Sequence, residues 1–306
     1  MQNKEVSMKP LTGKVAVVAG ATRGAGRSIA VELGAAGATV YCTGRSVRGQ
    51  RSDINRGETI EETAEMVTAR GGVGIAVRVD HSKPAEVEAF FQRVAAEQQG
   101  QLDILVNDVW GGEALIEFGK AFWEMDLTKA LTMIERAIFT HIITSHYGAP
   151  LMVARNQGLI IEVTDGDSLN YRGNLAYDFA KTGVIRLALA QAADLKSRGL
   201  DGITALALTP GFLRSEQMLD HFGVTEATWR DAIQKDPYFA SSETPYYIGR
   251  AVVALATDPN VHQKHGQAWA TWTLSDEYGF TDVDGSRPHW GRFFAEMQAK
   301  EKSVVI

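Results

Sequence analysis

Residues 171–181 read Tyr-Arg-Gly-Asn-Leu-Ala-Tyr-Asp-Phe-Ala-Lys, which sets Tyr177 and Lys181 four positions apart. On a helix that spacing puts both side chains on one face. A phenol titrates near ~10 and exchanges protons poorly at neutral pH. Bringing it towards ~7 takes about 4 kcal/mol of preferential stabilisation of the phenolate. One ammonium at ~4 Å in a partly buried site offers an interaction of that order. The pair is therefore a candidate acid/base device, in which Lys181 is expected to depress the Tyr177 pKa.

A second motif lies near the N-terminus. The apolar run Val15-Ala16-Val17-Val18-Ala19 is followed by Gly20-Ala21-Thr22-Arg23-Gly24-Ala25-Gly26 and then by a helical period through Ile29, Ala30 and Leu33. This reads as strand, glycine turn, helix. Glycines permit positive φ and close approach of a pyrophosphate to the backbone. The helix start offers free N–H groups and partial positive charge to phosphates. The spacing is Gly-x-x-x-Gly-x-Gly rather than the commoner Gly-x-Gly-x-x-Gly.

The two motifs together resemble the short-chain dehydrogenase/reductase family over most of the chain. Asn107-Asp108-Val109-Trp110-Gly111 stands where that family has Asn-Asn-Ala-Gly, and Pro210-Gly211-Phe212-Leu213-Arg214-Ser215 where it has Pro-Gly-x-x-x-Thr. The run Tyr278-Gly279-Phe280-Thr281-Asp282-Val283-Asp284-Gly285 is similar to the tail of the branch typified by dehydrogenase/reductase family member one. The resemblance implies hydride transfer at a nicotinamide coupled to proton transfer by Tyr177, with Lys181 also holding the nicotinamide ribose. It implies cofactor contacts from Asp80, at the adenine, and from Asn107, Pro210, Gly211 and Ser215. It also implies a homodimer or homotetramer built on the helices at 138–155 and 174–198, around an isologous two-fold.

The elements that must carry these residues alternate along the chain. Strand-like runs occupy 14–19, 38–43, 73–79, 102–107, 158–164, 203–209 and 267–273, and helical periods 25–36, 58–70, 84–98, 138–155, 174–198 and 245–257. Apolar strands joined by helices predict a single-domain α/β fold of Rossmann type: a doubly wound parallel sheet of about seven strands, helices on both faces, with ligands at the carboxyl ends of the strands. Residues 111–137 and 212–244 are too long for plain connections. They are read as pocket or lid insertions, whose aromatic residues either favour a partly apolar substrate or simply pack their own helices.

At 45% hydrophobic and 22% charged, the 306 residues suit one globular domain. A net charge of −6 argues against nucleic acid as partner. No apolar stretch reaches membrane-spanning length. Met1 to Pro10 lacks a signal-like apolar region and is expected to be a loose arm. Cys42 is the single cysteine and has no internal disulfide partner, which fits a cytoplasmic protein with a buried thiol. No metal site is read.

After the second strand an NAD enzyme usually offers Asp or Glu to the ribose 2′-hydroxyl. Here no acidic residue occurs between Leu33 and Ser52, whereas Arg45 and Arg23 could flank a 2′-phosphate. The expected cofactor is thus NADP (NADPH) rather than NAD. Arg48 and Arg51 are read as solvated charges.

Counting back thirteen residues from Tyr177, to the family's substrate-binding serine, gives Thr164, with Ser168 as the fallback. Asp165 and Asp167 follow at once. They are either exposed turn acids, or groups that repel an anionic substrate or bind a cationic or hydroxylated one. The family's relay Asn is missing, since no Asn occurs between Asp108 and Arg155, and Thr140, His141 or Ser145 could replace it. Trp110 stands where the family has a small residue and either lines the pocket or joins the core. The leading expectation is an NADP-dependent oxidoreductase acting on a small carbonyl/alcohol pair. Its rivals are a cofactor-binding sensor or scaffold without turnover, and a non-redox reaction on the same fold.

Overall fold

The computed structural model describes residues 8–50 and 52–304. Arg51 and most of the expected N-terminal arm lie outside the described residues. Seven strands form one parallel sheet: β1 (Val15–Ala19), β2 (Thr39–Gly44), β3 (Val73–Arg78), β4 (Ile104–Asn107), β5 (Gly158–Val163), β6 (Ile203–Thr209) and β7 (Ala268–Ala270). Their order is β3-β2-β1-β4-β5-β6-β7, so the winding reverses between β1 and β4. The register pairs Ala19 with Thr43 on one side and Asn107 on the other. All three reach the carboxyl edge, where ligands bind in such sheets.

The helices are α1 (Gly24–Ala35), α2 (Ile60–Ala69), α3 (Pro84–Glu97), α4 (Leu127–Ile134), α5 (Thr140–Val153), α6 (Leu175–Ser197), α7 (Glu216–Phe222), α8 (Pro245–Thr257), α9 (Thr271–Tyr278) and α10 (Trp290–Val304). Every residue of β1 and β6 is buried, because helices cover both faces. One face packs Ile29 and Leu33 of α1 with Ile248, Val252 and Leu255 of α8. The other packs Phe90, Phe91 and Val94 of α3 beneath Val17, Leu105 and Ile160. Cys42 is fully buried in β2, and burial pushes its thiol up to about 12.

Three departures from the sequence expectations matter. The apolar run at 267–273 yields a strand of three residues and then turns into α9, since a short run of this kind suits either state. Helix α4 forms inside the 111–137 segment because Asp126 accepts from the Thr128 and Lys129 amides and caps it. A π-helical turn over Glu135–Phe139 then joins α4 to α5.

Candidate active site

A cleft of about 820 Å³ runs along the carboxyl edge of the sheet. Its walls include Gly20, Thr22, Arg23, Gly24, Arg45, Asp80, Thr164, Tyr177, Lys181, Pro210, Gly211 and Ser215. Residues far apart in sequence are thus gathered in one cavity.

At one end the β1–α1 turn sets the backbone. Gly20 has φ +90°, and a Cβ there would run into the Asp108 carbonyl. Gly26 lies behind the turn, where a Cβ would meet the Gly20 carbonyl and the Asp108 carboxylate. Only glycine fits both places. The Gly24 amide, at the start of α1, donates to Glu216 Oε2 over 2.9 Å.

Two arginines stand over this end. Arg23 Nε lies 3.6 Å from Glu58, yet its Nε and Nη2 are buried with no hydrogen-bond partner among the described residues. Arg45, by contrast, donates to Asp53 over 2.8 Å and is largely exposed. Arg48 is an exposed partner of Glu65, as a solvated charge should be. Asp80 accepts from the Ser82 amide and hydroxyl, fixing the turn after β3.

Tyr177 and Lys181 both come from the first turns of α6, whose N-cap Asn174 accepts from the Tyr177 amide. The Tyr177 hydroxyl donates to Asp165 Oδ2 at 2.6 Å. The Lys181 ammonium sits 3.9 Å over the Trp110 ring and 5.7 Å from the Tyr177 ring centroid. The expected lowering of the Tyr177 pKa is therefore reversed. Burial raises it well above the ordinary phenol value, and the Asp165 carboxylate raises it further. Burial in turn lowers the Lys181 ammonium, against the pull of Asp165, Asp108 and Glu113. Loss of solvation on the cleft wall pushes Asp108 up to about 7.

Thr164 lines the cleft, but its hydroxyl donates to the Lys181 carbonyl over 2.7 Å. The next residue, Asp165, takes the place beside the phenol that the thirteen-residue count assigned to Thr164. Ser168 and Asp167 are exposed on the following turn, and Ser168 does not line the cleft. Arg172 braces this turn, donating to the Asp165 and Ser168 carbonyls over 2.7 Å each.

Asn107 does not line the cleft. It is fully buried and donates to Ser145 Oγ and Glu162 Oε1. Glu162, also fully buried, accepts in addition from Ser145 and Gln191, and pairs with His141 Nδ1 over 2.8 Å. The other His141 nitrogen meets the Val109 carbonyl. Of the three substitutes considered for the relay Asn, only Thr140 reaches the cleft, and its hydroxyl bonds to the Arg136 carbonyl. A charged residue within Ile160-Ile161-Glu162-Val163 was the available signal for this network.

Trp110 does both things considered for it: it lines the cleft, meeting Tyr177 edge-on at 5.6 Å, and packs on the small cluster of Ala130, Met133 and Ala176. Phe118 meets Tyr177 from another side at 6.0 Å. Within 212–244 the aromatics divide. Trp229 and Phe239 are buried in a small core, and Phe212 packs on that core while also lining the cleft with Leu213, Gln217 and Met218. Arg214 organises that core, donating to Ser242 and Glu226 beneath the Trp229 ring. Trp290 of α10 completes the wall and was not foreseen.

Comparison with known proteins places the chain and its fold among relatives. The short chain dehydrogenase family model matches residues 14–223. The chain is 37% identical over 280 residues to human "Dehydrogenase/reductase SDR family member 1", spanning 90% of this chain and 85% of that protein. It is 30% identical over 254 residues to a Staphylococcus aureus 3-oxoacyl-(acyl-carrier-protein) reductase, spanning 78% and 95% of the two chains. A crystal structure of a short chain dehydrogenase from Mycobacterium thermoresistibile superposes with a TM-score of 0.74 at 22% identity, covering 92% of each chain. Among the described residues no helix is long and apolar enough to cross a membrane.

Proposed function

The chain belongs to the short-chain dehydrogenase/reductase family of NAD(P)-dependent oxidoreductases, and from that premise we propose that it interconverts a carbonyl and an alcohol with NADP as cofactor, Tyr177 exchanging the proton. The observation that carries this reading is one cleft that unites the glycine turn, the Arg23 guanidinium with two buried nitrogens lacking hydrogen-bond acceptors among the described residues, and the Tyr177–Lys181 pair.

The residues present fit a phosphorylated dinucleotide. Gly20 and Gly26 let the turn pack closely on itself and on Asp108, and Gly24, at φ +55°, leaves the start of α1 without a side chain. Arg23 has two buried nitrogens without acceptors, and a 2′-phosphate supplies acceptors with charge. Thr22, Gly24, Arg45, Asp80, Pro210, Gly211 and Ser215 complete the walls that would hold it, whereas Asn107 supports β4 and β5 from behind. When bound, NADPH supplies the hydride.

This chain's own part is the proton. The Tyr177 hydrogen rests on Asp165, and a substrate oxygen taking that place receives it. Lys181 provides a positive charge on the same wall, without an ion pair to any carboxylate among the described residues. Trp110 and Phe118 narrow the approach and favour a substrate with an apolar portion.

Association through α5 and α6 accompanies this reading. Ile142 and Val153 of α5 and Leu175, Phe179 and Leu189 of α6 are exposed, with Phe139 just before α5, and they furnish apolar surface for a two-fold contact.

The test is titration with NADPH and NADH by tryptophan fluorescence, followed by carbonyl turnover with Tyr177→Phe as control. Preferential NADPH binding, with turnover lost by about 100-fold or more in Tyr177→Phe, is the expected result. Failure to bind either nucleotide overturns the reading.

A further inference from the structure

The substrate-facing hydroxyl expected at Thr164 is turned away, and a carboxylate stands beside the phenol instead. Ionised, Asp165 is acceptor-only. A carbonyl oxygen brought to the Tyr177 hydroxyl arrives next to Asp165 Oδ2, which lies 2.6 Å from that hydroxyl. Two acceptors without a hydrogen between them repel, and the repulsion grows as negative charge builds on the oxygen. A neutral ketone offers nothing to relieve it.

Other carboxyl groups stand near the phenol, on a cleft that also carries Arg23, Arg45, Arg136 and Lys181. Asp108, Glu113 and Asp165 all act electrostatically on the single Lys181 ammonium. Arg172 binds the Asp165 backbone carbonyl rather than its carboxylate and pairs with Asp178 at 3.1 Å. Trp110, whose face is taken by the Lys181 ammonium, and Phe118 flank the phenol and offer apolar surface to the body of such a substrate.

We propose that Asp165 determines substrate class, and that the site takes carbonyl compounds, and the matching alcohols, bearing a protonated amine on the carbon next to the reacting one. The inference rests on the oxidoreductase reading above. In such a molecule nitrogen and oxygen lie about a hydrogen-bond length apart, as do Asp165 Oδ2 and the Tyr177 hydroxyl. The ammonium donates to Asp165 while the oxygen accepts from Tyr177. The carboxylate is then satisfied and releases the phenol hydrogen to the substrate. In reduction the carbonyl carbon gains a hydride from NADPH and its oxygen gains the Tyr177 proton. The C=O π bond becomes one C–H and one O–H bond, and the ammonium is unchanged.

The experiment is calorimetric titration of the NADP-loaded protein with phenylethanolamine and with its neutral isostere, methyl replacing the ammonium. Wild type is expected to bind the amine at least about tenfold more tightly, the scale of one charge-assisted hydrogen bond. Asp165→Asn should erase the preference, and Asp165→Ser should turn it towards the neutral compound. Equal binding by wild type, a preference that survives in Asp165→Asn, or binding of neither compound overturns the proposal. NADPH oxidation with the two corresponding ketones tests the underlying chemistry separately. An amine preference in binding, without oxidation of NADPH by either ketone, overturns the oxidoreductase reading while leaving the recognition by Asp165 standing.

Discussion

The Gly24 amide at the start of α1 donates to Glu216 Oε2, 2.9 Å away, across a separation of 192 residues. The helix terminus that the glycine turn exposes thus already faces a carboxylate of the chain itself. That carboxylate belongs to α7, which Asp220 also ties to Arg56 over 2.8 Å. An anionic ligand at this turn competes with Glu216. Glu216→Gln is expected to tighten NADPH binding by about two- to fivefold, the range of one charge at a helix terminus. Fluorescence titration checks this, and weaker binding in the variant would show that Glu216 assists the ligand instead.

The two arginines of the cleft should contribute unequally. Arg23 has unpartnered buried nitrogens, whereas Arg45 is half exposed and held by Asp53. Arg23→Ala is expected to weaken NADPH binding by roughly 10- to 100-fold and leave NADH nearly unchanged. Arg45→Ala should cost less, because its gain is offset by the broken pair with Asp53. Parallel titrations of both variants with both nucleotides decide the order.

Glu243 is fully buried, with Oε2 accepting from Thr271 and Oε1 unpartnered among the described residues. Burial pushes its carboxyl up to about 8, from an ordinary value of 4.5. Between those values the folded protein binds a proton that the unfolded chain releases, so stability falls as pH rises through the window. Glu243→Gln keeps the size and an acceptor without the charge. The melting temperature of the variant should gain on wild type as pH climbs from about 4.5 to about 8. A difference that stays constant with pH would mean that Glu243 does not titrate there.

Phe179 is 57% exposed on α6, one turn after Leu175, which is 41% exposed. If this face is the subunit contact, Phe179→Asp desolvates a charge in it and should dissociate the assembly. Light scattering at micromolar concentration reads the outcome. An unchanged mass in the variant would move the contact elsewhere.

How much of this was legible in the sequence follows from the range of each interaction. The first six strand runs, the glycine turn and the Tyr177–Lys181 spacing are local patterns and reappear in place, whereas 267–273 keeps a strand only over Ala268–Ala270. The hydroxyl count to Thr164 found the right turn but the wrong side chain. Which of two adjacent residues faces the phenol depends on how β5 ends and on Arg172 gripping the turn from seven residues away. Asn107 was misplaced for a related reason. Its motif marks the end of β4, yet its partner is Glu162, 55 residues on. Trp290 reaches the cleft, and Glu216 the Gly24 amide, only through the packing of α10 and α7, which no local period announces.

Cys42 offers a practical handle of another kind. It is the chain's sole thiol, lies fully buried in β2 between β3 and β1, and is protonated throughout the neutral range. Alkylating reagents attack thiolates, so the native protein should be silent to them. Modification then proceeds only through openings that expose β2. The rate of Cys42 labelling becomes a clock for those openings, and any cysteine introduced elsewhere on the surface becomes a unique attachment point for a spectroscopic probe.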